Sequence, residues 1–469
     1  MESPSLPDWT TAPVPSDAWR VPSRHGRSNR VIAFGLVITL ALAGIAGVAA
    51  LAFGGSGDGY PDEWDPAVLD LVEYVERERG LAFNHPVTVR FLDESAFRDE
   101  ISFSEDDIDP AARATAVGDA AVLRALGIAD GDIDLIEVFG ELNAGLTLAY
   151  YDSGRDEIVV RGTDLTAPAR VSVVHELVHA LQDQHFDLDR FQALDSDESD
   201  AARALVEGDA TMVEDAYYAT LSPTDQRAVD AAHSFDSTDV PEAVPEILTY
   251  FASSPYVFGA SLVAALDAHG GRERVDDAFG DPPVSEEHLI DPLRYVLDDE
   301  PVRRVDVRLR EGEEVRDRDS LGAFSLFMIL AERIDAHDAL AAVDGWGGGE
   351  YAAYDDATGT GCIAAVVAGD DQSEEDELLR ALQEWADAGV PGAASASQGP
   401  RGISIRACDP GTDVELVTGR SSEAFALLAV RSDFFRWYVD GGEDIEVAWC
   451  VASRIIDLST LEQLNDPDG

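Results

Sequence analysis

The order of apolar and polar positions changes character several times along the chain. Residues 1–30 are proline- and serine-rich with few apolar side chains, so disorder is expected there. Residues 31–53 carry no charge at all, a run about long enough to cross a bilayer as one helix. Beyond it the pattern becomes periodic. Residues 64–79 repeat apolar positions at helical spacing, 87–92 read as a strand, and 110–126 as a further helix. Residues 146–151 and 157–161 form two short strand patterns around Asp152-Ser153-Gly154, a composition suited to a hairpin tip. After Thr166 and Pro168, which together mark a helix start, the alternation stops. Val171, Val173, Val174, Leu177, Val178, Ala180 and Leu181 leave almost no polar face. A helix that is apolar nearly all round belongs in a domain core.

Past this point the pattern is mainly helical. Helices are predicted over 201–219 and its overlapping reading 210–221, over 256–269 and over 321–336. Trp346-Gly347-Gly348-Gly349 reads as a flexible turn ending a helical stretch, 351–370 as a hairpin and 373–388 as a helix. Residues 389–399 have linker composition, and 402–408, 414–418 and 445–451 read as strands of a small end piece. At 469 residues the chain is too long for one core. The expectation is an α+β fold with a small-sheet lobe and a mainly helical lobe facing each other across a cleft. The predicted organisation is a tail (1–30), a transmembrane helix (31–53), a main domain (60–300), a helical and αβ extension (301–390) and a strand-rich end piece (400–469).

Charge alters this picture. The formal net charge is −59, from 92 acidic and 33 basic residues, and every basic residue is arginine. Such a balance excludes a nucleic-acid binder, which needs a basic footprint. Dense carboxylates are tolerable where molar salt shortens the screening length to about 3 Å, so the composition reads as salt adaptation. Calcium binding is the competing account, with Asp195-Ser196-Asp197-Glu198-Ser199-Asp200 as the candidate structural Ca2+ segment, although EF-hand spacing is absent. Arg20, Arg24, Arg27 and Arg30 precede the apolar run and Asp58, Asp62, Glu63 and Asp65 follow it. The positive-inside rule then places the N-terminus in the cytoplasm and the remainder outside the cell membrane. The alternative is a secreted chain released after signal cleavage near Ala50-Leu51-Ala52. Of the cysteines, Cys362, Cys408 and Cys450, at most two can pair within the chain, and Cys408 with Cys450 is the expected bridge.

The candidate chemistry lies in residues 175–185, HELVHALQDQH, which hold three of the nine histidines. His175 and His179 stand at i and i+4 on one helical face, so both imidazoles reach one metal ion. Glu176 lies beside them, where it can hold and deprotonate a water. The bland alternative, polar surface histidines, fits poorly on a helix this apolar. On the next predicted helix, Glu207 in Glu207-Gly208-Asp209-Ala210 is the candidate third ligand, which leaves a fourth position open, as catalytic zinc requires.

HELVHALQDQHFDL followed by ALVEGDA resembles the gluzincin-type zinc metallopeptidases of the peptidase MA clan, and within them a largely uncharacterised group of membrane-tethered or secreted prokaryotic members. The resemblance continues upstream through AYYDSGRDEIVVRG and downstream through Tyr256-Val257-Phe258-Gly259, DPPVSEEHLIDPLRY and GWGGGEYAAY, covering roughly residues 64–390. It implies one Zn2+ held by His175, His179 and Glu207, with Glu176 as general base in the hydrolysis of a peptide or protein substrate. In thermolysin-like relatives the third ligand lies closer to the second histidine than Glu207 does to His179, so Glu214 and then Asp209 stand in reserve. Tyr256 and His288 are candidates for stabilising the oxyanion. Their competing readings are an aromatic packed between helices and a surface histidine. Asp183 and Asp209 are candidates for orienting a ligand from behind. Two alternatives of other kinds are a catalytically silent cell-surface binding scaffold and a zinc hydrolase of a non-peptide amide or ester.

Overall fold

Helix α1 (Leu69–Arg79) is the first helix of the described residues, and it packs against the helices at 167–186 and 196–220. The computed structural model describes residues 60–101, 110–138, 148–233, 244–298, 301–416, 420–460 and 463. The expected tail and membrane span at 1–30 and 31–53 lie outside them. Strand β1 (Thr88–Leu92) is followed by α2 (Glu94–Ile101), α3 (Pro110–Leu126) and the hairpin strands β2 (Ala149–Asp152) and β3 (Glu157–Arg161). The sheet order is β1-β3-β2, with β1 parallel and β2 antiparallel to β3, so β2 is an edge strand. Helix α4 (Ala167–Phe186) carries the HELVHALQDQH run. Thr166 Oγ1 accepts the Ala169 N–H at 3.4 Å and caps its start. Val174, Leu177, Val178 and Leu181 of α4 share one core cluster with Leu71, Val72 and Val75 of α1 and with Ile158 and Val160 of β3.

Helix α5 (Ser196–Thr220) starts earlier than its sequence pattern suggests. Asp195 caps it by accepting the Glu198 N–H at 3.1 Å, so the candidate calcium segment is the helix's cap and first turn, where carboxylates suit the orphan N–H groups. Helix α6 (Pro223–His233) precedes α7 (Glu246–Gly280), which extends the predicted 256–269 at both ends and breaks only at Gly271 (φ 71°). By length and composition α7 is apolar enough to cross a membrane, but it is packed in the core. Helices α5 and α7 touch backbone to backbone. A Cβ on Gly208 would lie 2.2 Å from the Gly259 carbonyl carbon, and one on Gly259 would lie 2.0 Å from the Ala204 oxygen. Only glycine fits this crossing, and it sets Glu207 of α5 against Tyr256 of α7.

The short α8 (Glu287–Ile290) leads into a second layer built from β4 (Glu314–Ser320), α9 (Ala323–Ala331), α10 (Ala336–Val343), β5 (Trp346–Asp355), β6 (Gly361–Gly369), α11 (Gln372–Ala388), β7 (Ala394–Gly399) and β8 (Gly402–Cys408). Its five strands are antiparallel in the order β4-β5-β6-β8-β7. The chain then continues as α12 (Ser421–Asp440) and α13 (Ile445–Leu458). The fold is therefore mixed α+β, with one sheet beside the motif helix and a second, larger sheet after residue 313.

Several expectations are corrected here. The predicted helix over 321–336 is two helices, α9 and α10. Trp346-Gly347-Gly348-Gly349 opens β5, and Gly348 is needed because a Cβ there would meet the Arg303 carbonyl oxygen at 2.1 Å. The 389–399 linker contains the edge strand β7, with its Ala and Ser positions alternating along the strand. The end piece at 400–469 is not strand-rich: after β8 it is helical, 445–451 being the start of α13 with Asp444 as its cap, while 414–416 form no strand and 417–418 lie outside the described residues. The bridge joins Cys362 to Cys408, not Cys408 to Cys450. Cys362 and Cys408 are register partners on β6 and β8, 4.1 Å apart at Cα, whereas Cys450 is exposed on α13.

Within the candidate calcium segment, Asp197 and Asp200 have hydrogen-bond partners in the protein. Asp197 accepts the Glu286 N–H at 2.6 Å, and Glu286 accepts the Ser325 N–H at 2.7 Å and its hydroxyl at 2.9 Å. Asp200 hydrogen-bonds the Glu286 carboxylate. The three buried carboxyl groups tie α5, α8 and α9 together and do not converge as metal ligands.

Candidate metal centre

One helical turn separates His175 from His179, and each ring is fixed through its Nδ1. His175 Nδ1 lies 2.9 Å from Glu214 Oε2, and His179 Nδ1 lies 3.0 Å from Gln182 Oε1. The Gln182 amide is itself oriented, because its nitrogen donates to the Val206 carbonyl at 3.0 Å and to Asp209 Oδ2 at 2.9 Å. Both partners of the rings offer acceptor oxygens to Nδ1, so Nε2 is the atom each ring would turn to a metal ion. Without an ion, burial lowers both histidines but is outweighed by the Glu207 carboxylate, which raises them above the ordinary imidazole range. The two Nε2 atoms converge on Glu207 Oε2, at 3.1 Å and 3.2 Å. Among the described residues, His175, His179 and Glu207 form the group whose ligand atoms all lie within 4.8 Å of one another.

The electrostatics suit a cation. Burial pushes the Glu207 carboxyl up, but the facing imidazoles of His179 and His175 outweigh it and hold this group well below the usual carboxylate range. Glu176 is governed by burial, which raises its pKa, with partial relief from the two histidines. Its Oε2 accepts the Tyr151 N–H of β2 at 2.9 Å, so the edge strand aims the carboxylate. Burial also raises Glu214, to about 7, against the lowering effect of His175.

The other candidate residues fall into place unevenly. Tyr256 reaches the site: its hydroxyl donates to Glu207 Oε1 at 3.0 Å, and its ring centroid is 5.9 Å from that of His175. Glu214 is the hydrogen-bond partner of His175 Nδ1, on the side of the ring away from Glu207. Asp209 reaches His179 through Gln182 and is anchored in turn by Arg79 of α1 at 2.8 Å. Asp183 orients no histidine; it accepts the Tyr151 hydroxyl and the Leu188 N–H, both at 3.0 Å, and pins the hairpin to the end of α4. His288 is buried, not superficial, and its ring packs 5.4 Å from Tyr295. Burial first, and then the Arg294 charge, push it down to about 4, and none of its described contacts is with the metal-centre side chains.

A family described as a domain of unknown function (DUF8575) matches residues 307–429. No curated protein and no solved structure matches the chain. The matched stretch runs from before β4 into α12 and contains none of the metal-centre residues, so the likeness belongs to the second sheet and its helices.

Sequence reasoning missed Gln182, Tyr151, Arg79 and Arg203. Gln182 stands three residues after His179, a spacing that signals a shared helical face. Arg203 stands four residues before Glu207, a signal of the same kind, whereas Tyr151 and Arg79 act across long sequence separations that leave no local signal.

Proposed function

We propose that the chain is a membrane-anchored, extracytoplasmic zinc peptidase of the gluzincin kind. The observation that carries this reading is the convergence of two imidazole nitrogens and one carboxylate oxygen whose other hydrogen-bonding atoms are already engaged. That donor set, two nitrogens and one oxygen, suits zinc with an open fourth position. A bound zinc ion would supply a Lewis acid for the scissile carbonyl and lower the pKa of water to about 7.

The chain's own residues do the rest. Tyr151 holds Oε2 of Glu176, which leaves Oε1 to receive a proton, and burial makes that carboxylate a better base than an exposed one. The same group then hands the proton to the leaving amine. The base sits beside an edge strand, a surface that accepts an extended peptide by strand addition, and this favours a peptide over a smaller amide or ester. Anchoring rests on the uncharged run at 31–53 and the arginines before it.

Glu176→Gln tests the reading. At molar salt it should retain wild-type metal content and lose about 10²–10⁴-fold in peptide hydrolysis, because the ligands stay and only the base is gone. Cleavage at the wild-type rate would rule this mechanism out.

A further inference from the structure

Glu207 has two carboxylate oxygens, and the structure treats them differently. Oε2 faces the two imidazoles at 3.1 Å and 3.2 Å. Oε1 accepts the Tyr256 hydroxyl at 3.0 Å and lies 3.7 Å from Arg203 Nε. Arg203 also hydrogen-bonds Tyr256. A guanidinium has only donors, so the phenol oxygen accepts from Arg203 while its one proton goes to Glu207. Arg203 is in place because it lies one turn before Glu207 on α5, with Asp200 one turn further back attracting it from the other side.

We infer that Arg203 and Tyr256 form a clamp that confines Glu207 to binding a metal ion through one oxygen. The inference rests on the metal reading above. A free carboxylate can bind a dication through one oxygen or through both. With Oε1 engaged by a hydroxyl and a cation, Oε2 alone is left for the ion, and coordination positions stay open for water and substrate. The phenol proton is committed to Glu207, so Tyr256 acts as a positioning residue and not as the oxyanion donor expected from sequence.

The test uses the full chain at molar salt, loaded with cobalt(II), whose visible absorption is intense in four-coordinate tetrahedral sites and weak at higher coordination number. Wild type should show the intense band. Tyr256→Phe and Arg203→Ala each release Oε1, so each should weaken the band and lower zinc affinity, measured by chelator competition, by about 10–100-fold. Arg203→Lys keeps the charge without the planar fork and should restore only part of the band. Tyr256→Phe removes one oxygen atom, and an unchanged thermal melt separates loss of the clamp from loss of the fold. Wild-type binding with unaltered bands and affinities in both Tyr256→Phe and Arg203→Ala overturns the clamp and leaves the metal reading standing. A wild-type chain that takes up neither cobalt nor zinc overturns both.

Discussion

The two imidazoles are held by unlike partners, a carboxylate on His175 and an amide on His179. This difference predicts graded losses. Glu207→Ala removes a proposed ligand and should abolish stoichiometric zinc binding. Glu214→Gln leaves the three proposed ligands but replaces the carboxyl partner of His175, and should weaken zinc by about 10–100-fold. Metal content after dialysis, followed by competition with a chelator, distinguishes the two; equal retention in wild type and Glu207→Ala would remove Glu207 from the ligand set. His175, Glu176 and His179 were legible in the sequence because their geometry is local, one turn of one helix. Glu207 was legible only through a second motif, and its distance from His179 left Glu214 and Asp209 open as rivals. The structure separates the three by which carboxylate oxygen meets Nε2, a long-range relation that no spacing encodes.

At the scale of elements, the hairpin, the α3 helix and the start of α4 were readable because caps, turns and periodicity agreed with one another. The end of the chain was misread where they conflicted. Residues 445–451, IEVAWCV, have strand-forming composition, yet Asp444 caps them and Ala448, Ala452 and Ile456 form a buried helical face. The mistaken cysteine pair followed from that strand. Thiol titration of the unreduced, denatured chain should find one thiol, and Cys450→Ser should leave none; two or more in wild type would exclude the bridge. Since that bridge closes a loop of 46 residues, reduction should cost about 2–4 kcal/mol of stability. The α5–α7 crossing makes a separate prediction. Gly208→Ala places a methyl 2.2 Å from backbone that cannot rotate away, so about 1–3 kcal/mol should be lost and the melting temperature should fall by several degrees. Metal affinity should fall with it, because the same crossing presents Tyr256 to Glu207. An unchanged melt would mean that the helices slide apart freely.

For the whole molecule, charge dominates. Residues 1–30 carry four arginines and three acids and 31–57 carry no charge, so the remainder holds −60. Thermal unfolding between about 0.1 M and 3 M chloride should show a rising melting temperature as screening shortens from about 10 Å to below 3 Å. A flat response would end the salt-adaptation account. pH acts through the buried carboxyl groups joining α5, α8 and α9. Burial first, and then the Glu286 charge, push Asp197 and Asp200 well above the ordinary carboxylate range. The folded chain thus keeps protons that the unfolded chain releases above about pH 4, and stability should decline as pH rises through the folded-state values. Melting at fixed molar salt should show that decline, and Asp200→Asn should flatten it; an equal slope in the variant would place the titration elsewhere.

Arg79 sits at the end of the first described helix, yet through Asp209 and Gln182 it steadies His179 about a hundred residues later. If the chain is the anchored zinc peptidase proposed above, the position of a cut therefore bears on whether the released piece keeps His179 firmly held. On the proposed reading, a nick between residues 53 and 64 would release a piece that still contains Arg79 and its helix, with His179 held as before. A nick just past Gly80 would cut the helix from the rest of the chain and leave the buried Asp209 carboxylate with only the more distant Arg272, 3.9 Å away, so His179 would lose part of its support.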